Sequence, residues 1–348
     1  MKTQLKTVAA NSPLLTGRIP YKLLLDEKGN VFFRWLFIGQ KKITEPFFDE
    51  TISACLSLPE NSEMPCTTDE TLLERAGMTA TVAPAAFIFH ISRCGSTLLS
   101  QLLCIDERFI VLSEVPLLDQ VLRLPFSGNK DFSYVEKLFP AVLALLGQKR
   151  NGNEEYLFVK TDSWHLMFFE TIRNLFPGIP ALLLYRSPPE VIRSHQKLRG
   201  MHAVPGPIER EVFGFEESVN ELFPDVYLER VLEKYFKKII DILATDNYSK
   251  AVSFHDGAMK MLHDTLQPCA ITMLAAVLDE MEKRTTHHSK FPENKFVPEM
   301  LIQNASSSIV EKLFEQLEET KEKQSNIHKT KELPFQKALP LKSGNLPV

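Results

Sequence analysis

Between Pro84 and Ser100 the chain reads PAAFIFHISRCGSTLLS: an apolar run ends in a short polar turn around Gly95, and helix-compatible sequence resumes at once at Ser96. A strand that must turn so tightly into a helix leaves few folds open, and the same alternation recurs downstream. Residues 86–91, 109–112, 156–160, 181–185 and 251–255 are short, near-continuous apolar runs, the pattern of strands covered on both faces. Helical spacing predicts helices over 96–103, 134–146, 164–176, 188–198, 227–243 and 271–283, the last with Ile271, Leu274, Val277, Leu278 and Met281 on one side. Strands separated by helices predict an α/β fold, a three-layer sandwich with a central, mainly parallel sheet.

The first 80 residues differ. Residues 21–26 and 31–38, joined by Lys28-Gly29-Asn30, predict a hairpin, and Pro46 in the run Glu45-Pro46-Phe47-Phe48 suits the first turn of a helix. Residues 59–69, rich in Pro, Ser, Thr and Glu, predict a loop. The expected organisation is a small accessory unit over 1–80, an α/β domain over 81–320, and a polar, loosely ordered tail over 321–348. No internal repeat is visible.

Of the 348 residues, 44% are hydrophobic and 24% charged, with a net charge of −4, which excludes collagen-like, coiled-coil and wholly disordered chains. The near-neutral balance argues against a dedicated nucleic-acid binder. No apolar run approaches the length of a bilayer span, and the N-terminus lacks a secretory signal pattern, so a cytoplasmic protein is expected. Cys55, Cys66, Cys94, Cys104 and Cys269 are odd in number and widely spaced, which predicts free thiols rather than a disulfide framework or a zinc site. His287-His288 lacks metal-ligand spacing, and no metal is expected. The oligomeric state is not legible.

The turn after the first strand of the α/β region, Arg93-Cys94-Gly95-Ser96-Thr97, presents helix N–H groups, two hydroxyls and one full positive charge to whatever lies in front of it. Such a terminus suits a phosphate-like anion. The G-x-x-x-x-G-K-[ST] order of a nucleotide triphosphatase is absent, since the basic residue here precedes the glycine. A ligand-free turn capped by Ser96 is the plain alternative. About ninety residues later, Arg186-Ser187-Pro188-Pro189-Glu190-Val191-Ile192-Arg193-Ser194 again joins a strand to a helix with proline at its start. Arg186 pairing with the helix, and Ser194 facing solvent, is the plain alternative there.

Together the two segments resemble the sulfotransferase superfamily, whose 5′-phosphosulfate loop reads basic–Ser–Gly–[ST]–Thr and whose 3′-phosphate motif is R-x-x-x-x-V-x-x-S, matched here by Arg186, Val191 and Ser194. Arginine at the first loop position is similar to the tyrosylprotein sulfotransferases and related bacterial families. The resemblance implies transfer of a sulfuryl group from 3′-phosphoadenosine-5′-phosphosulfate (PAPS) to a hydroxyl or amine, leaving 3′,5′-adenosine bisphosphate. It assigns Arg93, Cys94, Gly95, Ser96, Thr97, Arg186 and Ser194 to the donor, and Arg93 and Lys160 to the growing charge. Glu114 resembles the catalytic glutamate of the tyrosylprotein enzymes, and His165 is the second candidate base, histidine being the usual base in the cytosolic members. The Gly-rich segment that closes over the nucleotide in cytosolic members is absent; in its place the polar loop 285–296 offers Ser289, Lys290 and Lys295 as candidates, with solvated surface the favoured alternative. The Pro/Gly-bearing segment 199–210 is a candidate cover for the acceptor, whose identity no residue reveals. A divergent nucleotide-dependent kinase and a non-catalytic nucleotide-binding protein are the alternatives.

Overall fold

The computed structural model describes residues 7–127, 130–287 and 308–330. Strands β1 (Arg18–Leu25), β2 (Val31–Phe37) and β3 (Cys66–Thr68) precede β4 (Pro84–His90), β5 (Phe109–Ser113), β6 (Tyr156–Lys160), β7 (Ala181–Tyr185) and β8 (Ser249–Ser253). Helices α1 (Phe48–Leu56), α2 (Asp69–Met78), α3 (Ser96–Leu103), α4 (Pro116–Leu122), α5 (Leu124–Ser127) and α6 (Phe132–Leu146) lie in the first half. The second half holds α7 (Phe169–Leu175), α8 (Pro188–Lys197), α9 (Pro224–Thr245), α10 (Ala258–Leu266), α11 (Ala275–Arg284) and α12 (Ser308–Thr330).

The central sheet has the order β5-β6-β4-β7-β8 and is parallel throughout. Every residue of β5 and β7 is buried, so both faces are covered by helices and the architecture is the three-layer α/β sandwich that the apolar runs predict. After β4 the chain moves outward to β5 on one side, and after β7 to β8 on the other. The carboxyl ends of β4 and β7, which are hydrogen-bonded neighbours in the register His90↔Leu184, therefore flank the point where ligands bind in open sheets of this kind.

The hairpin forms as expected and recruits β3 as a third antiparallel strand, a pairing hidden inside the segment that composition marks as a loop. Pro46 lies just ahead of α1 rather than in its first turn, with Phe47 as the cap. Trp35 and Phe33 of β2 belong to the same continuous core as the central sheet. Gln120 accepts the Leu23 N–H at 2.9 Å, and Gln148 donates to the Arg18 carbonyl at 2.9 Å, so the N-terminal elements are tied to α4 and to the end of α6.

Three expectations need correction. Residues 163–168 are wound as a tight 3-10 turn before α7, so the helix expected over 164–176 is shorter. The helix expected over 271–283 starts at Ala275, and of its apolar stripe only Ile271 and Met281 are buried, while Leu274 is exposed. The tail expected from residue 321 is helical as far as Thr330, because α12 packs on α9. Val310 and Leu317 are buried, and Phe314 meets Tyr185 and Phe236 at ring separations of 6.1 and 6.0 Å. Three apolar residues at helical spacing thus anchor a segment whose mean composition looks unstructured. Among the described residues no helix is long and apolar enough to cross a membrane.

Leu183 lies at the middle of β7 and is fully buried. Leu183→Ala is expected to lose about 2–5 kcal/mol of stability in urea denaturation. A loss below about 1 kcal/mol would contradict the packing described.

Candidate active site

The strand β4 ends at His90, and the four residues after it cannot continue as strand or helix. Ser92 and Arg93 take left-handed backbone angles (φ 69° and 53°), and Gly95 follows at φ 85° as the cap residue of α3. Left-handed angles at two non-glycine residues carry strain that surrounding contacts must hold. One such contact is the Ser92 N–H, which donates to Nδ1 of His90 at 3.0 Å. His90 in turn donates through Nε2 to the Thr161 carbonyl at 2.8 Å, which fixes a neutral tautomer. Burial pulls its pKa below the usual imidazole value, against the pull of Glu114. At Gly95 an added Cβ would lie 2.9 Å from the Phe254 ring, so the loop also needs glycine for space.

Neighbouring β7 delivers Arg186 to the same place. Its Nη1 donates to the Arg93 carbonyl at 3.3 Å, and its guanidinium lies 4.2 Å from the centre of the Phe254 ring. Nη2 pairs with Glu190 at 2.7 Å, and His255 reaches the other oxygen of Glu190 at 2.7 Å. Ser187 donates to that carboxylate as well. Burial alone would raise the pKa of Glu190, but Arg186 and Ser187 outweigh it and hold the carboxyl down at about 2. Glu190 thus anchors Arg186 from one turn along α8. Ser194, a turn further, lines the same cavity.

On the other side of β4, Glu114 follows β5 at φ 54° and donates its backbone N–H to the Lys160 carbonyl at 2.9 Å. Its carboxylate lies 2.5 Å from Lys160 Nζ and 3.4 Å from His90 Nε2. Burial opposes ionisation of Glu114, but the Lys160 charge prevails and keeps the carboxyl well below its ordinary range. Lys160 itself is fully buried at the end of β6, with the Phe47 ring 4.9 Å from its Nζ.

Beyond Glu114 the cavity wall is built around Asp119, which accepts from Trp164 Nε1 at 2.6 Å, from His165 Nε2 at 3.0 Å and from Arg123 at 2.9 Å. His165 accepts the Asp162 N–H through Nδ1 at 3.3 Å, so both of its nitrogens are engaged. Asp162 is buried, and with Glu114 and Asp119 nearby its carboxyl is held well above the usual range. Asp119, Asp162 and His165 bring ligand-type atoms within 4.8 Å of one another, but their hydrogen bonds are made among themselves and with Trp164, and the Arg123 guanidinium already sits on Asp119.

All of this opens on one cavity of about 1230 Å³. Of the residues expected from sequence, Arg93, Gly95, Ser96, Thr97, Glu114, Arg186 and Ser194 line it. Lys160 and the Cys94 side chain do not: Lys160 stands behind Glu114, and the Cys94 thiol is buried against the Leu184 carbonyl at 3.4 Å, its pKa pushed up to about 12. Gly95 rather than Ser96 caps α3. His165 supports Asp119, and the base role expected of it would break two hydrogen bonds. Within 199–210, Gly200, Met201 and His202 line the cavity. Ser289, Lys290 and Lys295 lie outside the described residues, as does His288.

Several lining residues escaped sequence reasoning. Phe254, His255 and Lys260 follow β8, Phe254 lying against Arg186 and His255 against Glu190, while Phe47 and Asp49 come from the N-terminal elements. The one available signal was position: residues 256–260 follow the apolar run 251–255 as 92–97 follow 86–91, but the strand ends at Ser253, so Phe254 and His255, expected within it, lie in the turn after it.

No family model matches the sequence, and no curated protein does. Among solved structures, the sulfotransferase domain from the curacin biosynthetic pathway is similar at 16% identity and a TM-score of 0.46, over 69% of this chain and 99% of that one. Sulfotransferase STF1 of Mycobacterium tuberculosis aligns at 12% identity and a TM-score of 0.40, over 62% and 76% of the two chains. A sulfotransferase of Alicyclobacillus acidocaldarius aligns at 15% and 0.34, over 58% and 91%. Likeness this slight carries no functional argument.

Because the folded-state pKa of Glu190 is depressed, its contribution to stability is present above the ordinary carboxylate value of 4.5 and is lost as pH falls toward about 2. Chemical denaturation of wild type and Glu190→Gln across that window should show a smaller acid-induced fall in the variant. Parallel curves would contradict the Arg186–Glu190 link.

Proposed function

We propose that the protein transfers the sulfuryl group of PAPS to a hydroxyl or amine acceptor. One observation carries the reading: the Arg93 loop and the Arg186–Ser194 segment open on the same cavity, with Arg186 Nη1 3.3 Å from the Arg93 carbonyl. One molecule with phosphates at both ends of a nucleoside can therefore span both. The N-terminus of α3 and Arg93 suit the 5′-phosphosulfate. Arg186 and Ser194 suit the 3′-phosphate, with the guanidinium offering a flat donor fork. The Phe254 ring, which lines the same cavity, suits a purine.

In the reaction the acceptor oxygen or nitrogen attacks sulfur, the bond from sulfur to the bridging phosphate oxygen breaks, and 3′,5′-adenosine bisphosphate leaves with that electron pair. Charge grows on the bridging oxygen, where Arg93 and the α3 N–H groups are placed to meet it. Glu114, ionised and facing the cavity, takes the acceptor's proton. Lys160 acts through Glu114, keeping the carboxylate charged and aimed. The scheme needs positioning and fixed positive charge, and it calls for no divalent metal.

Titration calorimetry should give metal-independent binding of 3′,5′-adenosine bisphosphate, and Arg186→Ala should weaken it by about tenfold or more. Tighter binding of magnesium-ATP than of the bisphosphate would overturn the reading in favour of a kinase. In sulfuryl transfer assays Arg93→Ala is expected to lower turnover by about 10²–10³. Wild-type turnover in that variant would remove Arg93 from the mechanism.

A further inference from the structure

One carboxylate on the cavity wall is badly placed for an anionic donor. Asp256 lines the cavity from the turn Phe254–Asp256, which lays Phe254 against Arg186 and His255 against Glu190. A donor with phosphates at both ends of a nucleoside brings several negative charges to that neighbourhood, and a bare carboxylate there would repel them. Asp256 is not bare. Its Oδ2 accepts the Ser253 N–H at 3.1 Å and lies 2.7 Å from Nζ of Lys321. Lys321 comes from α12, 65 positions along the chain, and its Nζ also sits 5.6 Å from the centre of the Tyr185 ring. Both side chains are largely shielded, at 20% and 23% exposure, so the pair is screened less than one in open solvent. The helix that delivers the lysine is fixed in place. Val310 and Leu317 are buried, Phe314 packs on Tyr185 and Phe236, and Gln324 donates to the Leu243 carbonyl at 2.7 Å.

We propose that Lys321 is a positioning residue for the donor: acting through Asp256, it cancels the negative charge at the nucleotide end of the cavity and makes α12 part of the donor site. The inference rests on the PAPS reading for the ligand, and on the Lys321–Asp256 contact for the residue. Asp256 has two separable tasks. Its bond to the Ser253 N–H caps the turn and does not involve the lysine, so loss of Lys321 keeps the turn and leaves one negative charge uncompensated. Nearby cations do not replace it, since Arg186 is paired with Glu190, and Lys260 lies on Asp264 at 2.7 Å. A polyanionic nucleotide feels that loss, whereas a neutral nucleoside does not.

Titration calorimetry of the full chain with 3′,5′-adenosine bisphosphate and with adenosine, at about 25 mM and about 500 mM salt, tests this. Lys321→Met should weaken bisphosphate binding by about fivefold or more at low salt and by less than about twofold at high salt, with adenosine affinity within about twofold of wild type at both. Lys321→Arg should bind as wild type does. Asp256→Asn, which keeps the lysine and an acceptor for the Ser253 N–H, should bind the bisphosphate at least as tightly as wild type. Added to Lys321→Met, it should bring affinity back to within about twofold of wild type. Unchanged bisphosphate affinity in Lys321→Met at low salt, an equal loss for adenosine, or a double variant as weak as Lys321→Met would overturn the proposal. If Lys321→Met does not fold, weaker bisphosphate binding by Asp256→Asn overturns it. If wild type does not bind the bisphosphate, the donor reading fails by itself, and the same variants are titrated with magnesium-ATP, which Lys321→Met should again bind more weakly. A wild-type protein that binds neither nucleotide overturns this proposal as well.

Discussion

Parallel pairing is the constraint from which the site follows. When all five central strands point the same way, the residues at or just after their ends must emerge on one rim, and here Arg93, Glu114, Lys160 and Arg186 are among those residues. Segments 93 positions apart in sequence meet because β4 and β7 are hydrogen-bonded neighbours. An antiparallel partner at any of these places would send its terminal charge to the opposite edge.

The rim divides into a cationic half and a paired half. On one side Arg93, Arg186 and the start of α3 present positive potential, with Glu190 fixing the Arg186 guanidinium without covering its opening on the cavity. On the other side Glu114 is matched by Lys160, and Asp119 by Arg123. A buried pair of this kind adds little net stability, but removal of one partner strands the other charge. Lys160, buried at the end of β6, is the charge paired with Glu114.

Much of the layout was legible in the sequence because its signals are local. The apolar run ending at His90, the turn with Gly95 and the proline-led helix after Arg186 each state their structure within a dozen residues. What escaped depends on partners far along the chain. The segment 66–68 becomes a strand only because β2 offers an edge, and 308–330 is a helix held by Val310, Phe314 and Leu317 against α9 and Tyr185. Phe254 and His255 could not be placed until β8 was seen beside β7. The Lys160–Glu114 pair was hidden for a related reason: sequence shows that a lysine ends a strand, but not that a carboxylate lies 2.5 Å from it.

The central claim is that a single nucleotide bearing two phosphate ends bridges the Arg93 loop and the Arg186–Ser194 segment. A crystal structure of the protein with 3′,5′-adenosine bisphosphate tests it most directly. The account predicts the 5′-phosphate at the N-terminus of α3 beside Arg93 and the 3′-phosphate on Arg186 and Ser194, with the base against Phe254. Both phosphates away from these residues, or two bisphosphate molecules each using one arginine, would contradict it.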